Sequence, residues 1–228
     1  MLKVKYLTGS EIDPVRSFRA VLIVDDEKTV CEYLGKLISD HFSNILVVCC
    51  SSPERAIRLT EMLYFDVVMC DVQMDILRGD QLINALRKKA SATFYICMTG
   101  KGPQSSFYAG LAQPDDFIYK DILEEETISY SVQKGLDESL IRRCRISLGY
   151  YDVTQDTFML KSLNWRIREK IRNAIGFTSR FYDVSRKKTK ALALCVQKNL
   201  PETEIARIAG YESPQKMNSS LQDLLLYT

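Results

Sequence analysis

Short apolar runs alternate with amphipathic segments along the first 140 residues. Five runs are too short for helices and are rich in Val, Ile and Cys, which is typical of strands buried on both faces. The intervening segments carry apolar residues three and four positions apart, as helices do. This alternation predicts a parallel sheet with helices on both faces, joined by right-handed crossovers. The predicted strands are 20–24, 45–49, 65–70, 93–98 and 116–119.

Acidic residues follow two of these strands. Asp25 and Asp26 come directly after the first, and Asp71 comes directly after the third. The carboxyl ends of parallel strands meet at one edge of a sheet, so three carboxylates are expected around one point. Like charges that close need a cation, and oxygen ligands suit Mg²⁺. The alternative is that each acid is an ordinary helix cap.

Further matches extend this pattern. Thr99 follows the fourth strand, Lys120 follows the fifth, and Asp71 opens a loop with Met74 that ends at Gly79. With the three acids, these residues resemble the receiver domain of bacterial two-component response regulators. The resemblance covers about the first 140 residues and implies a (βα)5 flavodoxin-like fold with strand order 2-1-3-4-5.

The resemblance also assigns roles. It implies that Asp71 is the phosphoacceptor and that Asp26 and Asp71 bind Mg²⁺ directly. The backbone carbonyl of Gln73 is the third implied ligand, and Asp25 acts largely through water. The implied phosphoryl donor is a sensor histidine kinase or a phosphotransfer protein, and the protein is not expected to be an enzyme.

Three other residues receive roles in the same way. Lys120 is expected to pair with the phosphoryl oxygens, and the Thr99 hydroxyl to hydrogen-bond one of them. Phe117 occupies the place of the switch aromatic, although simple core packing is the alternative. Asp121 stands where the family usually has proline, so a trans Lys120–Asp121 bond is expected.

The last stretch of the chain has the pattern of a helix-turn-helix. Ala206 faces inward in a short helix, Gly210 makes the turn, and Ser213 with Pro214 opens a second helix. Upstream, Ser185 is predicted to cap a helix whose first residues are basic. The residues expected to contact DNA are Gln215, Lys216, Asn218, Ser219, Gln222, Arg186, Lys187 and Lys188.

The output region resembles two families, the LuxR-type output domain and the second helix-turn-helix of AraC-type regulators. A pair of helices that packs for structure or for protein contact is the alternative. Residues 158–175 are predicted to form one amphipathic helix in which Trp165 is a core or interface residue. The expected organisation is a lead-in (1–19), a receiver (20–140), a linker and helical segment (141–182), and an all-α helix-turn-helix region (183–228).

Charge and cysteine usage complete the prediction. Residues 1–139 contain 15 Lys and Arg against 21 Asp and Glu, whereas residues 140–228 contain 16 against 8. A basic second half favours DNA as a partner. Seven cysteines without a Cys-x-x-Cys pair, and one histidine, indicate reduced thiols and no zinc site. Without a signal peptide or an apolar run near 18 residues, a cytoplasmic protein with no membrane contact is expected.

These observations predict a phosphorylation-controlled, DNA-binding transcription regulator, expected to act as a homodimer. Two alternatives remain open. In the first, the helical half binds protein rather than DNA; in the second, the receiver works without phosphorylation.

Overall fold

The computed structural model describes residues 4–9, 12–13, 16–100, 113–147, 150–159, 164–197 and 199–225. The sequence also predicts a helix through Phe107 and Leu111, and these residues lie outside the described ranges. Within them, none of the helices combines the length and the hydropathy needed to cross a membrane.

The central sheet has six strands in the order β1-β3-β2-β4-β5-β6. Its last five strands are the five predicted from the apolar runs, and they follow the expected order 2-1-3-4-5. β2 with β3, β4 with β5, and β5 with β6 are parallel pairs. The strands are β1 (Lys5–Thr8), β2 (Arg19–Val24), β3 (Ile45–Cys50), β4 (Val67–Asp71), β5 (Phe94–Thr99) and β6 (Asp116–Tyr119).

Strand β1 was not predicted, because four residues with weak alternation give little signal. It pairs antiparallel with β3, with Lys5 opposite Cys49 and Thr8 opposite Leu46. It therefore covers the edge of β3, whose backbone groups would otherwise be open to pairing with another chain. The Tyr6 hydroxyl also donates a hydrogen bond of 3.0 Å to the carbonyl of Leu224 near the end of the chain.

Helices follow the strands as the hydrophobic spacing predicts. Ser52 caps α2, because its Oγ accepts a hydrogen bond of 3.2 Å from the Arg55 amide. The helices are α1 (Lys28–His41), α2 (Pro53–Met62), α3 (Gly79–Arg87), α4 (Glu125–Ile146), α5 (Trp165–Ile175), α6 (Ser179–Gln197), α7 (Glu202–Ile208) and α8 (Pro214–Leu225).

The chain forms two compact units, residues 1–65 with 183–228 and residues 66–182. In the first, every residue of β3 is buried and α1 packs against that strand. In the second, every residue of β4 and β5 is buried, and α4 packs against both strands. Each unit therefore has its own apolar core.

The predicted helix over residues 158–175 is wrong in its first part. β7 (Tyr151–Asp152) and β8 (Thr157–Phe158) form a hairpin, and Phe158 belongs to its second strand. The Asp152 carboxylate accepts hydrogen bonds from the amides of Thr154 and Gln155, which turns the chain.

Helix α5 starts only at Trp165, with the Asn164 side chain accepting from the Ile167 amide at 3.1 Å. Trp165 is 67% exposed, so of its two predicted roles the core role is wrong, and the interface role stays a prediction.

Helix α6 starts earlier than predicted. Thr178 caps it, since its hydroxyl accepts from the Phe181 amide at 3.1 Å. Ser185 lies inside the helix, fully buried, where its hydroxyl accepts from the Tyr64 amide at 2.5 Å. The predicted helix start at Ser185 is therefore wrong, and the basic residues 186–188 lie in the middle of α6.

Candidate functional site

Asp71 is the last residue of β4 and is only 3% exposed. The backbone continues the strand for one more residue, because the Val72 amide donates to the Met98 carbonyl at 2.9 Å. One carboxylate oxygen of Asp71 lies 3.0 Å from the Lys120 ammonium, and the two side chains are 5% and 13% exposed. Lys120, which is distant in sequence, therefore neutralises the charge of the Asp71 carboxylate. Both side chains keep a small solvent-exposed area.

The loop after Asp71 folds back tightly on the strand. The Gly79 amide donates to the Val72 carbonyl at 3.2 Å. A Cβ atom on Gly79 would lie 2.1 Å from the Asp71 carbonyl oxygen, closer than any side chain can approach. Gln73 and Asp75 are exposed in this loop, whereas Met74 is buried. Glycine is thus required for the loop to close behind Asp71.

Asp25 and Asp26 follow β2 and differ in exposure. Asp25 is fully buried, and its amide donates to the Cys50 carbonyl at 3.2 Å. Its Oδ1 accepts from the Glu27 amide at 2.9 Å, just before α1 starts. Asp26 is exposed. The backbone therefore fixes Asp25, while Asp26 is open to solvent.

The donor set fits Mg²⁺. Asp25, Asp26 and Asp71 each offer a carboxylate oxygen, and these oxygens lie within 4.8 Å of one another. Three carboxylates are hard ligands of the kind that Mg²⁺ prefers, and this cluster contains no Cys or His ligand for a softer metal. The chemistry of the cluster agrees with the magnesium site expected from the sequence.

Thr99 and Phe117 lie on the neighbouring strands β5 and β6. Thr99 ends β5 and is 5% exposed. Phe117 is half-buried and opposite Cys97 in the sheet register. Lys120 starts a short 3₁₀ turn directly after β6, and no peptide bond among the described residues is cis, so the Lys120–Asp121 bond is trans as expected. The resemblance to receiver domains also implies a switch role for the loop that follows Gly100, and this loop lies outside the described residues.

The acids near Asp71 also affect a neighbouring thiol. Burial, and then the negative charges of Asp80 and Asp71, raise the pKa of Cys97 to about 12. The thiol is therefore protonated at neutral pH and is a poor nucleophile.

The C-terminal helices have the local features predicted for a helix-turn-helix. Ala206 is 1% exposed where α7 meets α8, and Gly210 has a φ of 80° in the turn between them. Ser213 caps α8 by accepting from the Lys216 amide at 3.2 Å. The five residues predicted to face outward on α8 are all exposed: Gln215, Lys216, Asn218, Ser219 and Gln222.

Acidic residues contact part of that outward face. Lys216 forms an ion pair with Glu212, and the Asn218 amide donates to Glu202 at 3.2 Å. In α6, the Arg186 guanidinium lies 5.2 Å from the Tyr64 ring centroid, and Lys187 donates to the Gly210 carbonyl at 2.9 Å. Burial lowers the pKa of Lys188. Arg186 and Lys187 thus contact other parts of the same unit in this conformation.

Comparisons with known proteins agree with this description. Residues 21–131 match the family model of the response regulator receiver domain. A search of curated proteins finds no match. Among solved structures, the chain is similar to an uncharacterized protein from Neptuniibacter caesariensis, with 21% identity and a TM-score of 0.50, over 55% of this chain and 93% of that one.

Two further solved structures are similar to this chain. NtrX from Brucella abortus, solved with ADP, has 20% identity and a TM-score of 0.50, over 57% of this chain and 30% of that one. A CheY-like receiver domain protein from Methanospirillum hungatei has 19% identity and a TM-score of 0.49, over 55% of this chain and 98% of that one.

The site and the family match define the class of domain. Residues 21–131 form a response regulator receiver domain, a mostly parallel sheet with flanking helices. Receiver domains are signalling domains that histidine kinases or phosphotransfer proteins phosphorylate, and they bind Mg²⁺ at an acidic pocket.

Proposed function

We propose that the protein is a two-component response regulator that is phosphorylated on Asp71 and acts as a DNA-binding transcription regulator. The observation that carries the proposal is the 3.0 Å pair between Lys120 and Asp71 at the end of a buried strand. Phosphoryl transfer to a carboxylate depends on charge neutralisation and positioning, and this pair provides both.

Each residue at the site has a defined task in that reaction. A carboxylate oxygen of Asp71 attacks the phosphorus of the incoming phosphoryl group, and the P–N bond to the donor histidine breaks, so that the histidine leaves with the bonding electron pair. Lys120 then follows the negative charge to the phosphoryl oxygens, since its ammonium sits on a flexible stem. The Thr99 hydroxyl moves to donate a hydrogen bond to one of these oxygens. The Phe117 ring then fills the space that Thr99 leaves.

Asp25, Asp26, Asp71 and the backbone carbonyl of Gln73 would hold Mg²⁺. When bound, Mg²⁺ neutralises charge on the transferring group. Asp26 is exposed and can reach a metal directly, whereas Asp25 is held by the Glu27 amide. Asp26→Ala should therefore lose more Mg²⁺ affinity in calorimetric titration than Asp25→Ala. Equal affinity of Asp26→Ala and the parent protein would remove Asp26 from the site.

DNA binding is assigned to residues 183–228, and α8 is the proposed recognition helix. Lys216 is the proposed phosphate contact, and Gln215 and Asn218 can pair with adenine. The present acidic partners of Lys216 and Asn218, which are Glu212 and Glu202, would be exchanged for DNA groups on binding. Phosphorylation of Asp71 would favour the conformation, or the homodimer, in which α8 meets DNA.

Gel shifts with genomic DNA fragments, with and without acetyl phosphate, test the output. We expect phosphorylation to strengthen binding, and Lys216→Ala to lower the salt slope by about one. Lys36→Ala, at an exposed lysine of α1, is the matched control and should leave the slope unchanged. If the phosphorylated protein binds none of the fragments at low salt, the alternative of a protein-binding output replaces DNA binding.

A further inference from the structure

Helix α5 exposes an unusual combination of side chains. Trp165 is 67% exposed at its start, and the helix contains four basic residues against one acid, Glu169. The basic residues are all exposed: Arg166, Arg168, Lys170 and Arg172. Neither the receiver chemistry nor the proposed recognition helix uses this surface.

Helical spacing groups three of these side chains on one face. Trp165, Arg168 and Arg172 are separated by three and four residues, so they lie in a row about 10 Å long. Together they line a cavity of about 270 Å³. Lys170 is not among the lining residues and lies on another face of the helix.

The cavity is lined by the aromatic ring of Trp165 and two guanidinium groups above an apolar floor, and by Glu169, whose carboxylate pairs with Arg172 at 2.6 Å. Its apolar floor consists of Ile171, Ile175 and Phe177, which are only 1%, 0% and 8% exposed. A helical peptide partner needs accessible apolar area, and this floor provides little. A guanidinium, that of Arg166, also lies 5.8 Å from the Trp165 ring centroid.

We propose that the surface formed by Trp165, Arg168 and Arg172 binds single-stranded nucleic acid. An unpaired base would stack on Trp165, and neighbouring phosphates would contact Arg168 and Arg172. Bases in a duplex are already stacked on each other, so the ring selects unpaired nucleotides. The proposal is independent of the recognition helix and of phosphorylation.

The single tryptophan of the chain makes the test direct, because intrinsic tryptophan fluorescence reports on Trp165 alone. The unphosphorylated full-length protein is titrated with a short oligo-dT strand. We expect saturable quenching whose affinity falls with salt, with a slope of about −0.7 per phosphate contacted. A duplex of the same length should bind at least about tenfold more weakly at this surface.

Two charge reversals on the same helix provide the specificity control. Arg168→Glu should weaken oligo-dT binding by about tenfold, whereas Lys170→Glu, with the same change in charge, should change it less than about twofold. Trp165→Leu, followed by anisotropy of a labelled strand, should lose a similar factor. Lys36→Ala, at an exposed lysine of α1, should leave oligo-dT binding unchanged.

Three outcomes would overturn the proposal. The first is the absence of quenching at low salt. The second is equal weakening by Arg168→Glu and Lys170→Glu, which would indicate unspecific charge attraction. The third is equal quenching by poly-glutamate at matched charge, which would assign the surface to acidic proteins.

Discussion

Strand β4 carries an aspartate paired with a cation at each of its ends, and the two pairs differ in accessibility. Asp66, just before the strand, lies 2.8 Å from the Arg143 guanidinium, and both side chains are fully buried. Asp71, at the other end, lies 3.0 Å from Lys120, and that lysine is 13% exposed. One strand thus holds a sealed ion pair and an accessible one.

The Arg143 end is held by many partners. Its guanidinium donates to Ser139 at 2.8 Å and to the Tyr151 hydroxyl at 3.2 Å. It also lies 5.5 and 5.6 Å from the ring centroids of Tyr151 and Tyr182. Both tyrosine hydroxyls donate to Asp156 in the hairpin turn. This network connects Asp66, α4, the hairpin and the first turn of α6 within the unit of residues 66–182.

The comparison shows how the partner decides the role of a buried aspartate. Arginine holds a carboxylate with a planar fork of fixed donors, which suits a permanent contact. Lysine is a compact charge on a flexible stem, so it can transfer from Asp71 to a phosphoryl group without dismantling the core. Chemistry is therefore expected at the Lys120 end and structural support at the Arg143 end.

The largest expected change in the free energy of unfolding comes from a substitution in the buried Asp66–Arg143 pair. Arg143→Met leaves the charge of Asp66 buried without its partner, which should cost about 3–5 kcal/mol of the free energy of unfolding in urea titration. Arg145→Met, at an exposed position of the same helix, should change it little. Equal stability of the two variants would mean that the Asp66–Arg143 pair does not stabilise the fold.

Asp115 is more exposed than Asp66, and its contribution to the free energy of unfolding should be smaller and should depend on pH. Burial alone would raise the pKa of Asp115, but hydrogen bonds from Arg142, Arg87 and the Tyr95 amide outweigh it, so the pKa is lowered. Its contribution to stability is then present above the unfolded-state pKa of about 3.9 and is lost as pH falls through the lower folded-state pKa.

Asp115→Asn measures that contribution. The variant should be about 1.5–3 kcal/mol less stable than the parent at neutral pH, and the difference should shrink towards zero in strong acid. A difference that stays constant across the acidic range would show that ionisation of Asp115 does not matter.

At the Asp71 end of β4, the backbone of Gly79 lies close to the backbone of Asp71. Gly79→Ala would place a Cβ atom 2.1 Å from the Asp71 carbonyl and should cost about 1–3 kcal/mol through overpacking. At Gly100 a Cβ atom would meet nothing within 4 Å, so Gly100→Ala is the control and should leave unfolding by urea nearly unchanged. Similar costs for both variants would contradict the close contact.

The sequence predicted the accessible Asp71–Lys120 end of β4 better than the buried Asp66–Arg143 end. Apolar runs gave the strands to within one or two residues, and the acids after them marked Asp71 and Asp25. Arg143 gave no such signal, because it stands in a basic stretch and its partner Asp66 is 77 residues away. A local pattern cannot show that one of three neighbouring arginines is buried.

Two elements were missed for a different reason. The spacing of Phe158 fits a helix, and the turn formed by Asp152 overrides it. Ser185 has the residue type of a cap, but Thr178 upstream provides the cap and Ser185 binds the Tyr64 amide. The exposure of Trp165 also required the structure, since its position in sequence fits a core residue equally well.

Phosphorylation of Asp71 is the central claim, and intact mass measurement with acetyl phosphate and Mg²⁺ tests it most directly. The parent protein should gain the mass of one phosphoryl group, and borohydride reduction should place the modification at residue 71. Asp71→Asn should gain nothing, whereas Asp75→Asn, at an exposed aspartate of the adjacent loop, should be labelled like the parent. Labelling of Asp71→Asn at the parent level would contradict the assignment.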